Sequence, residues 1–239
     1  MQEAGVDRIF VDRRDAGREL AQALAEYAGR PGIVVLGLPR GGIPVAFEVA
    51  RALGLPLDVF VVRKLGVPGH EEMAMGAIAT DNLCVLNAPL ISRLGITAAT
   101  VERVRAGEQT ELCRREQAYR GDRPPVDAHG STVLVVDDGL ATGATMQAAV
   151  LALRAQHAYR IIVASPVASR EACAELGEIA DRCVCLSTPR DFFGVSAWYE
   201  NFNQTSDDEV RALLDRAALL LPDDARRPAV IADKDPSQV

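Results

Sequence analysis

Lysine is almost missing from this chain. Of its 26 basic residues 24 are arginine, and only Lys64 and Lys234 are lysine. Lys234 lies in a polar tail, so Lys64 is the one lysine in the body of a protein that otherwise writes arginine. A basic surplus is missing as well: 33 acids against 26 bases give a formal charge of −7. That argues against a nucleic-acid partner, which needs a basic field to displace counterions. No apolar run approaches the roughly 20 residues that span a bilayer. The start, Met1-Gln2-Glu3-Ala4-Gly5-Val6-Asp7, has neither the basic region nor the apolar stretch of a signal peptide. The expectation is a soluble, cytoplasmic protein with no membrane partner. Histidine is scarce, with three residues, and the five cysteines (Cys84, Cys113, Cys173, Cys183, Cys185) show no CxxC pair. No metal cage made by protein alone is visible, and the cysteines read as small buried hydrophobes. Cys183 and Cys185, two apart in an apolar run, would share one face of a strand.

What is present is a core. About half of the 239 residues are hydrophobic (49%), which excludes wholesale disorder. Short continuous apolar runs alternate with helical spacing. Strands are expected at Ile33 to Leu38, Leu57 to Val62, Thr132 to Val136, Ile161 to Pro166 and Arg182 to Leu186. Helices are expected at Ile43 to Leu53, Ala144 to His157, Ser169 to Leu176 and, behind an N-cap at Ser206, up to Leu220. Gly76 to Ala79 and Leu83 to Leu86 read as paired strands around an Asp81-Asn82 turn. Thr97 to Arg120 reads as a long polar helix. Arg63 to Met75, broken by Gly, Pro, His and acids, reads as a long loop. Continuously apolar strands separated by helices imply α/β architecture: a central, mostly parallel sheet covered on both faces. A single domain over residues 1–221, followed by a loose tail over 222–239, is the economical reading.

One segment carries specific chemistry. Asp137-Asp138-Gly139-Leu140-Ala141-Thr142-Gly143-Ala144-Thr145 ends a buried strand in two acids and opens a helix through a glycine-bracketed turn. A helix N-terminus at the end of a parallel strand presents unpaired N–H groups and a positive dipole to a phosphate. Thr142 and Thr145 add hydroxyls, and Gly143 permits close approach. Carboxylates would repel that phosphate, so Asp137 and Asp138 suit vicinal sugar hydroxyls instead. The glycine spacing is not the dinucleotide fingerprint, and the lysine of a P-loop is missing.

This segment resembles the phosphoribosyl pyrophosphate signature of the type I phosphoribosyltransferases, over roughly Ile33 to Phe202. The resemblance implies a Rossmann-like type I fold with a small hood. It implies that Asp137 and Asp138 bind ribose hydroxyls, and that Ala141, Thr142, Gly143, Ala144 and Thr145 bind the 5-phosphate. Mg2+ is the implied cofactor, held by ligand and water, with Asp137 and Asp138 reaching it at most through these. Arg40-Gly41-Gly42 then looks like the family's pyrophosphate loop, with a cis peptide expected at Arg40-Gly41; alone it would be an ordinary Gly-Gly turn. Arg63 and Lys64 would be catalytic, with Lys64 acting on pyrophosphate charge beneath a flexible loop over 64–75. The plain alternative there is a solvated basic pair and a surface loop.

Pro189 to Phe202 holds five of the chain's eleven aromatics, including its sole Trp. Flat π-faces stack nucleobases, and the resemblance places the hood here, over about 187–203, with Phe193, Trp198 and Tyr199 as base-binding candidates. A satellite core or a dimer contact would use aromatics equally well. The implied activity is phosphoribosyl transfer from phosphoribosyl pyrophosphate to a nucleobase or amine, releasing pyrophosphate, by a homodimer. The rival is a non-catalytic nucleotide or donor sensor on the same fold. One departure bears on the acceptor: 6-oxopurine members carry an Asp just before Thr-Gly, where this chain has Ala141. Hypoxanthine and guanine should therefore be poor acceptors, and turnover of either at the rate of the true acceptor, measured by pyrophosphate release, would contradict this.

Overall fold

The computed structural model describes residues 9–80, 83–121, 123 and 125–220. The Asp81-Asn82 turn, the 222–239 tail and Lys234 lie outside them. The elements, in chain order, are α1 (Arg13–Ala23), β1 (Ile33–Gly37), α2 (Gly42–Leu53), β2 (Leu57–Val59), β3 (Val62–Val67), β4 (His70–Ala79), β5 (Leu83–Leu86), α3 (Ala88–Arg93), α4 (Ala98–Arg120), β6 (Thr132–Val136), α5 (Ala144–Ala155), β7 (Arg160–Val167), α6 (Arg170–Ile179), β8 (Arg182–Ser187) and α7 (Asp207–Leu220).

Five strands form one sheet in the order β2-β1-β6-β7-β8, and every pair in it is parallel. Each residue of β1 and β6 is buried, which explains runs that do not alternate: both faces are covered. Val34, Leu36, Val133, Val135, Ile161 and Val163 meet Met146, Ala149 and Leu153 of α5 and Leu176 of α6. Their neighbours Val35, Leu134, Val136, Ile162 and Ala164 meet Leu20 of α1 and Val45, Val49 and Leu53 of α2 on the other face. The expected α/β architecture is the one observed. Ser169 caps α6 by accepting from the Ala172 amide, and Ser206 Oγ accepts from the Glu209 amide at 3.1 Å.

Two expectations are corrected. The run from Leu57 to Val62 is not one strand. β2 pairs with β1, and the chain then leaves the main sheet, so that β3 belongs to a second, antiparallel sheet of order β3-β4-β5. The supposed loop from Arg63 to Met75 is the β3–β4 hairpin, reversed at Pro68-Gly69, with Gly69 at φ +80°. Register shifts on either side of Gly66 mask the alternation. A Cβ on Gly66 would stand 2.8 Å from the Glu71 carbonyl oxygen, so the glycine marks close strand approach.

The long polar helix α4 (N-cap Thr97) is laid against this hairpin and α7. Leu112 and Tyr119 are buried with Leu65, Met75, Ile78, Val210 and Leu214 in a third cluster. Its C-terminal end is tied to β2, where the buried Arg120 donates to Asp58 Oδ2 at 3.2 Å and to the Val59 carbonyl at 2.8 Å. The Val126 amide also donates to Asp58, at 3.0 Å. Among the described residues, no helix is long and apolar enough to cross a membrane. Removing one partner of a buried ion pair leaves the other uncompensated, so Arg120→Ala should cost about 3–5 kcal/mol in denaturant unfolding. A loss below about 1 kcal/mol, the range of exposed pairs, would show that this tie does not hold α4.

Candidate active site

The pairing of β1 with β6, Gly37 opposite Val136, places the turns that follow these strands side by side. The Leu38 amide donates to the Val136 carbonyl at 2.9 Å, carrying the contact beyond the strands. The chain after β1 then has no room for side chains. A Cβ on Gly41 would lie 2.6 Å from Asp138 Cγ, and one on Gly42 would lie 2.7 Å from the Val136 oxygen and 2.9 Å from Asp137 Cα. The two glycines exist to let this turn lie on the two acids.

A cis peptide is present, but at Pro39-Arg40 rather than at the expected Arg40-Gly41. The Arg40 carbonyl already accepts from the Ile43 amide at 3.2 Å, and Gly41 has right-handed helical angles, so the later peptide belongs to the first turn of α2.

After β6, Asp137 and Asp138 are partly buried, and the Asp138 amide donates to Asp137 Oδ1 at 2.8 Å. Burial first, and the charge of Asp138 second, push the Asp137 carboxyl well above the usual carboxylate range; the Asp138 amide pulls the other way. Asp138 is paired with Arg13, whose Nε donates to Oδ2 at 2.7 Å, both side chains being largely buried. The Arg13 guanidinium lies 3.9 Å over the Phe202 ring and donates to the Asn203 carbonyl at 2.7 Å. Arg13 is the site residue that the sequence did not reveal. It stands 125 positions from its partner, in a segment without a motif.

The turn over residues 141–145 has the backbone form expected of it, a glycine opening directly into a helix. Gly143 takes φ +70° and precedes α5, whose first-turn amides have no acceptor within the helix. Ala141, Thr142 and Thr145 are exposed, Ala144 is half-buried, and Gly143 is buried against Ala172. The loop is fastened from behind: the Ser169 amide donates to the Leu140 carbonyl at 2.8 Å, and Ser169 Oγ to the Ala141 carbonyl at 2.7 Å.

A cavity of about 580 Å³ opens beside these turns, lined by Pro39, Lys64, Glu71, Arg103, Arg115 and Thr145 among others. It joins the turn after β1, the hairpin and α5, and α4 supplies its far wall, which gives the long helix a place in the site. Lys64 reaches it from β3, opposite Ala77. Arg63 lines it too, but Arg63 is bound to Glu108 of α4 at 2.6 Å. Arg40 pairs with Asp207 at the start of α7, at 3.6 Å and half-exposed.

The aromatic stretch divides. Phe193 is 88% exposed. Trp198 and Tyr199 are buried with Phe10, Ala16 and Val167 in a satellite cluster, and Trp198 Nε1 has no protein acceptor among the described residues. Tyr199 also donates its hydroxyl to the Asp138 carbonyl at 2.6 Å, and burial pushes its phenol upward. Val195 sits against Gly139, where a Cβ would be 2.6 Å from Val195 Cγ2. The stretch thus braces the two acids from one side as Ser169 braces the turn over residues 141–145 from the other.

Comparison with known proteins places the chain in a family. Residues 10–201 match the family model described as phosphoribosyl transferase domain. The chain belongs to this family. It is 49% identical over 210 residues to a protein provisionally named phosphoribosyl transferase in two strains of Mycobacterium tuberculosis, CDC 1551 and H37Rv. That match covers 88% of this chain and 47% of the mycobacterial protein, so the chain spans about half the length of the curated relatives it matches. The crystal structure of TT1426 from Thermus thermophilus superposes with a TM-score of 0.81 at 44% identity, covering 86% of this chain and 97% of that one.

The burial of Asp137 generates a prediction for stability. Its carboxyl has a higher proton affinity folded than unfolded, so this stabilisation is full below the ordinary carboxylate range and is lost as pH rises through the raised value. Asp137→Asn should therefore melt at least about 2–4 °C higher than wild type near pH 8, with the difference shrinking toward pH 5. Parallel melting curves across that range would show that Asp137 is not strained by its burial.

Proposed function

We propose that this domain binds phosphoribosyl pyrophosphate and transfers the phosphoribosyl group to a nitrogen nucleophile. The observation that carries the reading is the paired-turn arrangement. Two adjacent carboxylates and a helix N-terminus with two exposed threonines lie on one turn, directly against a Gly-Gly turn led by Arg40. Anion donors at both ends and acceptors between them match a sugar that carries a 5-phosphate on one side and pyrophosphate on the other.

In this reading the amides of Ala144 and Thr145 and the hydroxyls of Thr142 and Thr145 hold the 5-phosphate. Asp137 and Asp138 accept hydrogen bonds from the ribose hydroxyls, for which Arg13 must yield part of its hold on Asp138. Asp137 acts as a carboxylate in this reading, accepting from a ribose hydroxyl. Oxygen donors few in number, and a carboxylate pair beside the diphosphate position, fit a Mg2+ ion that keeps most of its ligands from substrate and water. Bound there, near Asp137 and Asp138, Mg2+ would neutralise diphosphate charge. The bond from the ribose anomeric carbon to the pyrophosphate oxygen breaks, a bond to the acceptor nitrogen forms, and the acceptor's proton passes to solvent. Lys64 and Arg40 offset charge gathering on the departing pyrophosphate. The exposed Phe193 is the aromatic face best placed to meet a flat acceptor, while Trp198 and Tyr199 support the wall beneath.

Transfer and sensing differ in what Lys64 does. An interaction that strengthens as pyrophosphate leaves raises turnover more than affinity. Lys64→Ala should keep donor affinity within about tenfold of wild type, by calorimetry with Mg2+, and lose about 100-fold or more in single-turnover pyrophosphate release. Lys64→Arg should recover little, since a planar fork replaces a compact ammonium poorly. Tight donor binding by wild type with no pyrophosphate release for any nucleobase or amine would favour the sensor.

A further inference from the structure

The cysteines fall into an arrangement that their spacing in sequence conceals. Cys183 and Cys185 point to one face of β8, as residues two apart on a strand must, with Sγ atoms 3.7 Å apart. Cys173, on α6, faces them, 3.9 Å from Cys183 Sγ. All three sulfurs lie within 4.8 Å of one another, and all three residues are half-buried. The expected apolar packing is part of their setting, since all three lie partly buried against the hydrophobic core under α5 and α6. Packing alone does not account for three sulfurs drawn this close together.

That gathering has the dimensions of a metal site. Tetrahedral zinc holds thiolate sulfur at about 2.3 Å, which sets ligand sulfurs about 3.8 Å apart. The 3.7 and 3.9 Å separations lie on either side of that value. Thiolate sulfur selects soft or borderline cations over Mg2+ or Ca2+. Charge then favours a divalent ion, because three thiolates leave a net −1 around it but −2 around a monovalent one, and a half-buried site penalises the larger charge. Half-burial also leaves room for water as the fourth ligand.

We propose that Cys173, Cys183 and Cys185 bind one zinc-class divalent cation, tying α6 to the edge strand β8. Binding would form three metal–sulfur bonds and release the three thiol protons to solvent, with no change of oxidation state. The clamp would act on the scaffold of the phosphate loop. α6 begins at Ser169, which is bonded to Ala141, and Ala172 stands against Gly143.

The test uses reduced, metal-stripped protein and the metals themselves. Titration with Co2+ should produce a near-ultraviolet thiolate-to-cobalt charge-transfer band that saturates at one equivalent and is displaced by Zn2+. X-ray absorption of the zinc form should give three sulfurs at about 2.3 Å. One equivalent of Zn2+ should shield Cys173, Cys183 and Cys185 from alkylation while Cys113, exposed on α4, still reacts. Cys183→Ser should weaken Zn2+ binding by about 100-fold, and Cys113→Ser should leave it unchanged. Wild-type protein gives the deciding readings whether or not a variant folds. The absence of a charge-transfer band, or alkylation of the three cysteines at equal rates with and without Zn2+, would overturn the proposal.

Discussion

The site rests on one steric constraint: the turn after β1 lies directly on the two aspartates after β6. Gly41 and Gly42 have no alternative at that distance, since any side chain would meet the Asp138 carboxyl or the backbone of Val136 and Asp137. Backbone pairing between β1 and β6 fixes the approach, and the buried valines and leucines on both faces of those strands hold it in register. The Gly-Gly turn, the two carboxylates and the start of α5 are thereby brought together at one end of the sheet.

Such a site is costly to the empty protein. Two carboxylates share a partly buried turn, and the molecule answers them differently. Asp138 is met by Arg13, itself stacked on Phe202, while Asp137 is answered by a raised proton affinity. Under the proposed function, both answers would be withdrawn as sugar hydroxyls bind. The surrounding bonds, from Tyr199 to the Asp138 carbonyl and from Ser169 to the Ala141 carbonyl, hold the backbone and leave the side chains available. This division matches the general pattern in which strain at a functional turn is borne by a rigid frame.

The long helix α4 shows how added chain becomes part of a site. Its surface is a ladder of Arg–Glu pairs one turn apart, such as Arg105 with Glu102 and Arg115 with Glu111. These pairs stabilise a helix locally but say nothing of where it lies. Its position is set by Leu112 and Tyr119 beneath it and by Arg120 on Asp58. Once there, it closes a cavity that β3 and α5 leave open.

Local patterns were enough for much of this protein. Unbroken apolar runs gave the parallel sheet, because strands covered on both faces need no alternation. The Asp-Asp-Gly…Thr-Gly-Ala-Thr segment made its turn legible, because its conformation is written in adjacent residues: a glycine at positive φ and hydroxyls at a helix start. Tertiary structure decided whatever depends on residues far apart in the chain. It made a hairpin of Arg63 to Met75, since bulges at Gly66 erase the period that marks strands. It turned Trp198 and Tyr199 inward, since their partners Phe10 and Asp138 lie on other segments. It set Arg13 on Asp138 and brought Cys173 to Cys183 and Cys185. A side chain's chemistry is fixed by its type, but its partner is fixed by packing, and no spacing along the chain encodes that.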